Sequence, residues 1–343
     1  MKTQKNINYG LELLRMLLCF WVVLFHFLRK SDNKQILNFR KKMFHVPSFF
    51  FISFYFLFPI IDKRKTNKMT RRLERLLIPY FFWPSFTWCI NNLSFLKFKK
   101  SKFNRLLTSY DLFEQLITGR TFFVHFWFLF NLLILTIIFF ILSILFELNI
   151  FLKITQVIGI VSYILQYSTY NYIFFDNYKD CISHSIGHFV ESFPLAITAF
   201  ILYKFNIPNR LIIARYTTIF YCILGNYFIY NYEIFMKIKR YGLTYSYNGF
   251  EKNIFALLSF IGFYLIPIDC LKSNKLKIFI KFASNYTQGI YCIHTTIIYY
   301  TTTYIFHLKR TFNGCLIIYF VSYLISFIGA KISFNTRLKY LFT

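Results

Sequence analysis

The sequence predicts an all-α polytopic membrane protein, about ten transmembrane helices in one bundle with no soluble domain. Three observations carry that prediction. Hydrophobic residues make up 57% of the 343-residue chain and charged residues only 15%, against roughly 25% charged in a soluble domain. Its 48 Phe and 27 Tyr are too many for one water-soluble core. Apolar runs near the length a bilayer demands, about 20 residues, recur from end to end. The runs must be helical, because lipid offers no partner to a free N–H or C=O. Strands of a membrane barrel would alternate apolar and polar residues over about ten positions, whereas Phe49–Phe58 and Leu132–Leu142 are apolar almost without a break.

The first span is expected at Leu13–Leu28, behind a basic tip of Lys2 and Lys5. Glu12 and Arg15 intrude and no small-x-small cleavage site follows, so it reads as an uncleaved span, not a signal peptide. Further spans are expected near 46–61, 77–92, 126–147, 154–175, 185–204, 211–230, 252–270, 285–305 and 314–333. The run at 154–175 is diluted by Gln156, Ser162, Gln166 and Ser168. With no internal repeat and no low-complexity linker, residues 1–343 read as a single integral membrane domain.

The formal charge is +27, from 40 Lys and Arg against 13 Asp and Glu. These cations sit mostly between apolar runs, as in Asp62–Arg75 and Lys97–Arg105. Anionic lipid headgroups draw cations to that place. No nucleic-acid recognition motif accompanies the charge, so the expected partner is the bilayer and not a nucleic acid. The seven cysteines are scattered without a C-x-x-C pair, which leaves neither a metal framework nor a disulfide framework legible. Basic residues divide almost evenly between the two sides, and the short, strongly basic loop Asp62–Arg75 tips the N-terminus toward the cytosol.

Ionisable side chains inside spans are costly and therefore functional candidates. Arg15 and His26 lie eleven residues apart. That is about three helical turns, so both leave one face, about 16 Å apart. A structural reading has Arg15 snorkelling to the headgroups and His26 capping the far end. Lys68, Arg71, Arg72 and Arg75 precede the third span. Arg72 and Arg75, at i and i+3, present two guanidinium forks suited to phosphate, although such a cluster also serves as a plain topological flank. His294 lies deep in its span, and His125 opens the aromatic run to Leu129. His184, His188 and Glu191 share a helix face at i, i+4 and i+7. A metal site would need a third ligand that the sequence does not supply, so a polar cavity wall is expected there and no metal.

These residues carry a resemblance. Arg15 followed after ten residues by His26, within Tyr9–His26, resembles the first span of the acyltransferase-3 family of integral membrane acyltransferases. Pro47–Phe54, with Ser53 behind its aromatics, is similar to the family's second-span motif. Arg72-Leu73-Glu74-Arg75 resembles its Arg-x-x-Arg element, and His125–Leu129 its His-Leu-Trp-Phe-Leu run. Phe193-Pro194-Leu195 and Gly289–His294 match later landmarks in order. Phe54 stands where the family has Gly, as does Thr198-Ala199, and both changes bear on how closely helices approach.

The resemblance implies ten transmembrane helices in the cell membrane and transfer of an acyl group from cytosolic acyl-CoA, usually acetyl-CoA. The acceptor it implies is a hydroxyl or amine, commonly on a carbohydrate such as a cell-surface or lipid-linked glycan. The donor is a substrate, and no permanently bound cofactor is expected. His26 then suits the general base, with covalent carriage of the acyl group by the same ring as an alternative. Arg15, Arg72 and Arg75 suit the donor's phosphates. Ser53, Tyr55 and His294 are candidate oxyanion donors, and His125 and Glu191 candidate pocket residues. A glycan flippase or other transporter would also need many spans and buried charges. It would not need a histidine aligned over a cation cluster.

Overall fold

Asn8 opens the first helix by accepting the Leu11 amide at 3.0 Å, the bond expected of an N-cap asparagine. The structure, a computed structural model, describes residues 8–28, 45–98, 106–118, 126–146, 148–172, 181–239, 250–268, 273–301 and 311–343. Among these there is no strand. The helices are α1 (Tyr9–Phe27), α2 (His45–Asp62), α3 (Thr66–Phe98), α4 (Ser109–Thr118), α5 (Trp127–Leu145), α6 (Leu148–Tyr172) and α7 (Cys181–Lys204). They continue as α8 (Ile207–Arg210), α9 (Arg215–Lys239), α10 (Phe250–Leu265), α11 (Asn274–Ser284), α12 (Thr287–Tyr300) and α13 (Phe312–Ile332). A 3-10 helix, Arg337–Leu341, follows.

Each expected span overlaps a helix of this set, with residues 147, 173–175, 269–270 and 302–305 of those spans outside the described residues, and the chain is an all-α membrane protein. Among the described residues, three helices are by length and composition long and apolar enough to cross a membrane: α1, α5 and α13. Others carry an internal proline: Pro59 in α2, Pro79 and Pro84 in α3, Pro194 in α7. The third helix overruns its expected limits at both ends. Its basic start, Thr66–Arg75, is helical because Lys, Arg and Met are good helix formers whose charge opposes only burial. The short α4, α8 and α11 were not legible as separate elements. In α11, Lys275, Lys277 and Lys281 alternate with exposed Ile278, Phe279 and Phe282, the pattern of a helix lying on a membrane surface.

Between α2 and α3 the chain reverses at Arg64, whose φ of 44° is left-handed. The Arg64 and Lys65 amides donate to the Ile61 and Ile60 carbonyls at 2.9 and 3.0 Å, closing the end of α2. Helix directions follow from the pairs that touch. Arg15 meets Thr287 and His26 meets His294, so α1 and α12 run parallel. Asn8 donates to the Tyr264 carbonyl at 2.9 Å, so α1 runs against α10. The starts of α1, α3 and α12 and the ends of α10 and α13 therefore gather at one end of the bundle, the Arg15 end.

The core is aromatic. Phe50 and Phe54 stack at 5.8 Å, and Phe139 takes the edges of Phe54 and Phe58 at 6.1 and 5.4 Å. Such pairs contribute about 0.5–1.5 kcal/mol each beyond area burial. Phe54, where a glycine was the family expectation, is thus a core filler holding α2 against α5. The Thr198 hydroxyl donates to the Pro194 carbonyl at 2.8 Å, and close approach of α6 to α7 falls instead at Gly159, where a Cβ would stand 2.4 Å from Ile197 Cγ2.

Among the described glycines, the closest approach between helices is at Gly10, where an added Cβ would lie 1.8 Å from the Phe263 carbonyl oxygen. Backbone cannot yield as a side-chain tip does. Gly10→Ala is therefore expected to lower the melting temperature in detergent by more than an ordinary overpacking substitution, which costs about 1–3 kcal/mol. A melting temperature equal to wild type would show that α1 and α10 part without cost.

Candidate active site

One face of α12 builds the site. Thr287, Tyr291 and His294, at i, i+4 and i+7, form a stripe, and α1 lays its polar residues along it. Arg15 Nη2 donates to Thr287 Oγ1 at 3.2 Å while Nη1 pairs with Glu12 Oε2 at 3.0 Å. The Cys19 thiol donates to the Thr287 carbonyl at 3.4 Å. About 10 Å further along the axis, the rings of His26 and His294 meet, with centroids 5.1 Å apart and planes tilted by 49°. Arg15 and His26 thus both face α12.

The two imidazoles are not equivalent. His294 is 0% exposed, and its Nδ1 lies 3.1 Å from the Ile290 carbonyl oxygen. A carbonyl only accepts, so Nδ1 carries the hydrogen and Nε2 of the neutral ring keeps the lone pair. His26 is half-buried and is the more exposed ring of the pair. Aromatic walls stand beside them. Tyr291 lies 6.2 Å from His294, 5.4 Å from Phe128 and 6.4 Å from Phe49, and Phe25 sets its edge to His26 at 5.2 Å. Packing of this kind excludes water and strengthens electrostatic interactions within.

At the Arg15 end, Pro79 explains a second link. Lacking an N–H, it leaves the Arg75 carbonyl without its helical donor. Gln288 Nε2 fills that vacancy at 2.6 Å, tying α12 to α3 beside Thr287. The Arg75 side chain is exposed, its guanidinium 5.4 Å from the Tyr340 ring centroid. Arg72 turns inward. Its Nη2 donates to the Ser53 carbonyl at 2.9 Å, and its buried Nε has no hydrogen-bond partner. Burial first, then the charge of Arg75, pushes the Arg72 guanidinium down to about 10, still a cation at neutral pH.

Four sequence-predicted residues, Arg15, His26, Arg72 and His294, are thus placed on α12 and on two helices that pack against it, α1 and α3, with Arg75 exposed beside Arg72. Ser53 joins them through its carbonyl. Tyr55 packs away from the histidines, 5.0 Å from Phe260 and 6.0 Å from Tyr264. His125 lies outside the described residues, as do the side chains of Glu191, His184 and His188 on α7. Among the described residues no three His, Cys, Asp or Glu side chains form a metal-holding group. Sequence reasoning missed Thr287, Gln288 and Tyr291. Their signals were the stripe at i, i+4, i+7 ending on His294 and the proline four residues after Arg75.

Paired imidazoles inside an all-α membrane bundle, above an end crowded with guanidinium groups, make this an integral membrane protein with an ionisable centre. The chain belongs to the acyltransferase-3 family, whose acyltransferase domain matches residues 8–332, nearly its whole length, and it is a membrane acyltransferase. No curated protein and no solved structure matches the chain.

Proposed function

We propose that this acyltransferase moves an acetyl group from acetyl-CoA, bound at the Arg15 end, to a hydroxyl of a cell-surface or lipid-linked glycan, as a step of polysaccharide biosynthesis. The Arg15 end, with the N-terminus, faces the cytosol of a cell-membrane protein that crosses ten times. One observation carries the reading. His26, half-buried against the fully buried His294, stands on the same α1 face as Arg15, about 16 Å along the axis, within reach of a phosphopantetheine arm.

In this reading Arg72 and Arg75 hold the donor's phosphates, and Arg15 guides the arm between α1 and α12. His26 takes the proton of the acceptor hydroxyl as its oxygen attacks the thioester carbonyl. The tetrahedral adduct collapses with cleavage of the C–S bond, and the imidazolium returns its proton to the departing thiolate. Ester and free CoA thiol are the products. His294 acts behind His26 by fixing its ring. Ser53, His125 and Glu191 are proposed for the pocket wall.

Purified protein in vesicles, given acetyl-CoA and lipid-linked glycan, tests this by thiol release together with a mass gain of one acetyl group on the glycan. Both are expected, in equal amounts. Translocation of glycan with neither thiol release nor mass gain would make the protein a flippase and sink the proposal.

A further inference from the structure

The 3-10 helix Arg337–Leu341 lies past residue 332, beyond the family match. It packs across the basic start of α3. Tyr340 is buried beneath the Arg75 guanidinium, and Phe342 sets its ring 6.1 Å from Trp83. Phe342 also closes on α12, where a Cβ on Gly289 would stand 2.7 Å from its carbonyl oxygen. The segment is therefore docked against α3 and α12 at the Arg15 end.

Between it and α3 lies an open cleft of about 410 Å³, within the usual range for small-molecule sites of roughly 300–1,000 Å³. Arg71 lines one wall, and Arg337 and Lys339 line the other. Glu74, which also lines the cleft, pairs with Arg337 at 3.1 Å. Three cations against one carboxylate leave the cleft positive, while neutral Asn67 and Asn335 offer further donors and acceptors. Arg71 and Arg75 are separated by one helical turn, so the cleft continues the face that carries Arg75.

We propose that this cleft binds the nucleotide end of the acyl-CoA donor, with Arg71, Arg337 and Lys339 around its 3′-phosphate. This rests on the acyl-CoA reading above. The ligand has the mixed chemistry the lining requires: a doubly charged phosphate for the cations, and a ribose and base for the neutral amides. It also gives the segment beyond residue 332 a role in donor selection. The shared chemistry, a phosphate on a cationic cleft, is offered by an anionic lipid headgroup too, and the test separates the two sources.

The protein is reconstituted in phosphatidylcholine nanodiscs, and the Arg337→Ala/Lys339→Ala double variant is compared with wild type. Calorimetry with 3′-phospho-ADP is expected to show binding weakened about tenfold or more, the loss of at least one charge-assisted contact. The KM for acetyl-CoA is expected to rise by a similar factor, while turnover of S-acetylpantetheine, which lacks the nucleotide, serves as the reference reaction and is retained. Equal binding of 3′-phospho-ADP by variant and wild type overturns the proposal. So does equal loss with both donors, which makes the segment structural. A difference that emerges only when phosphatidylglycerol is present assigns the cleft to headgroups and overturns it as well. Wild type that consumes no acetyl-CoA yet binds 3′-phospho-ADP in the cleft refutes the reaction instead, so the two failures are told apart.

Discussion

Replacing His26 by alanine or glutamine is expected to lower acyl transfer by roughly 10²- to 10⁴-fold, the usual contribution of a positioned general base. The reason is geometric. His26 is the half-buried member of the imidazole pair, and its partner His294 is sealed behind it with Nδ1 on the Ile290 carbonyl. Glutamine keeps much of the volume and the hydrogen bonding but takes no proton, so packing loss does not explain a defect shared by both variants. Abundance and melting temperature are expected to stay near wild type for His26→Gln. Retention of more than about a tenth of the activity in either purified variant would falsify the base assignment. Intact-protein mass after exposure to acetyl-CoA without acceptor addresses covalent carriage. A gain of one acetyl group in wild type, absent from His26→Gln, would make the ring a carrier in place of a base.

How much of this was legible depends on which force fixed each feature. Long apolar runs fixed the helices, since the bilayer leaves the backbone no alternative. The spacing of Arg15 and His26 gave their common face, because helical period needs no tertiary knowledge. Their partner face on α12 was also written in the sequence as Thr287, Tyr291 and His294, but the parallel pairing of α1 with α12 was not, since helices distant in sequence pack by shape. The opposite senses of Arg72 and Arg75 were hidden for the same reason. Three residues apart, they share a helix side, and the α2 carbonyl of Ser53 draws one inward. The docking of the last residues had no periodic pattern to announce it. Only the small residue at Gly289 hinted that backbone comes close there.

That split between the two arginines sets the final expected result. Arg75→Ala should raise the KM for acyl-CoA by about ten- to a hundredfold, since a charge-assisted hydrogen bond is worth roughly 1.5–3 kcal/mol and a decade about 1.4. Its side chain is exposed, and Gln288 grips its backbone carbonyl, so folding should be little changed. Arg72→Ala should raise the donor KM and also lower the melting temperature. It removes a contact to the Ser53 carbonyl between α2 and α3, together with a guanidinium proposed to hold the donor's phosphates. Arg72→Lys should restore little of either, because an ammonium lacks the fork that spans a carbonyl and a phosphate at once. If the cluster only fixed topology, both alanine variants would misinsert, and the molecules that remained would show a normal KM. Reconstituted protein assayed across acyl-CoA concentrations, beside a thermal melt, separates the two accounts. An unchanged donor KM in a correctly inserted Arg72→Ala/Arg75→Ala variant would leave both arginines as headgroup anchors and move the donor's phosphates elsewhere on the Arg15 end.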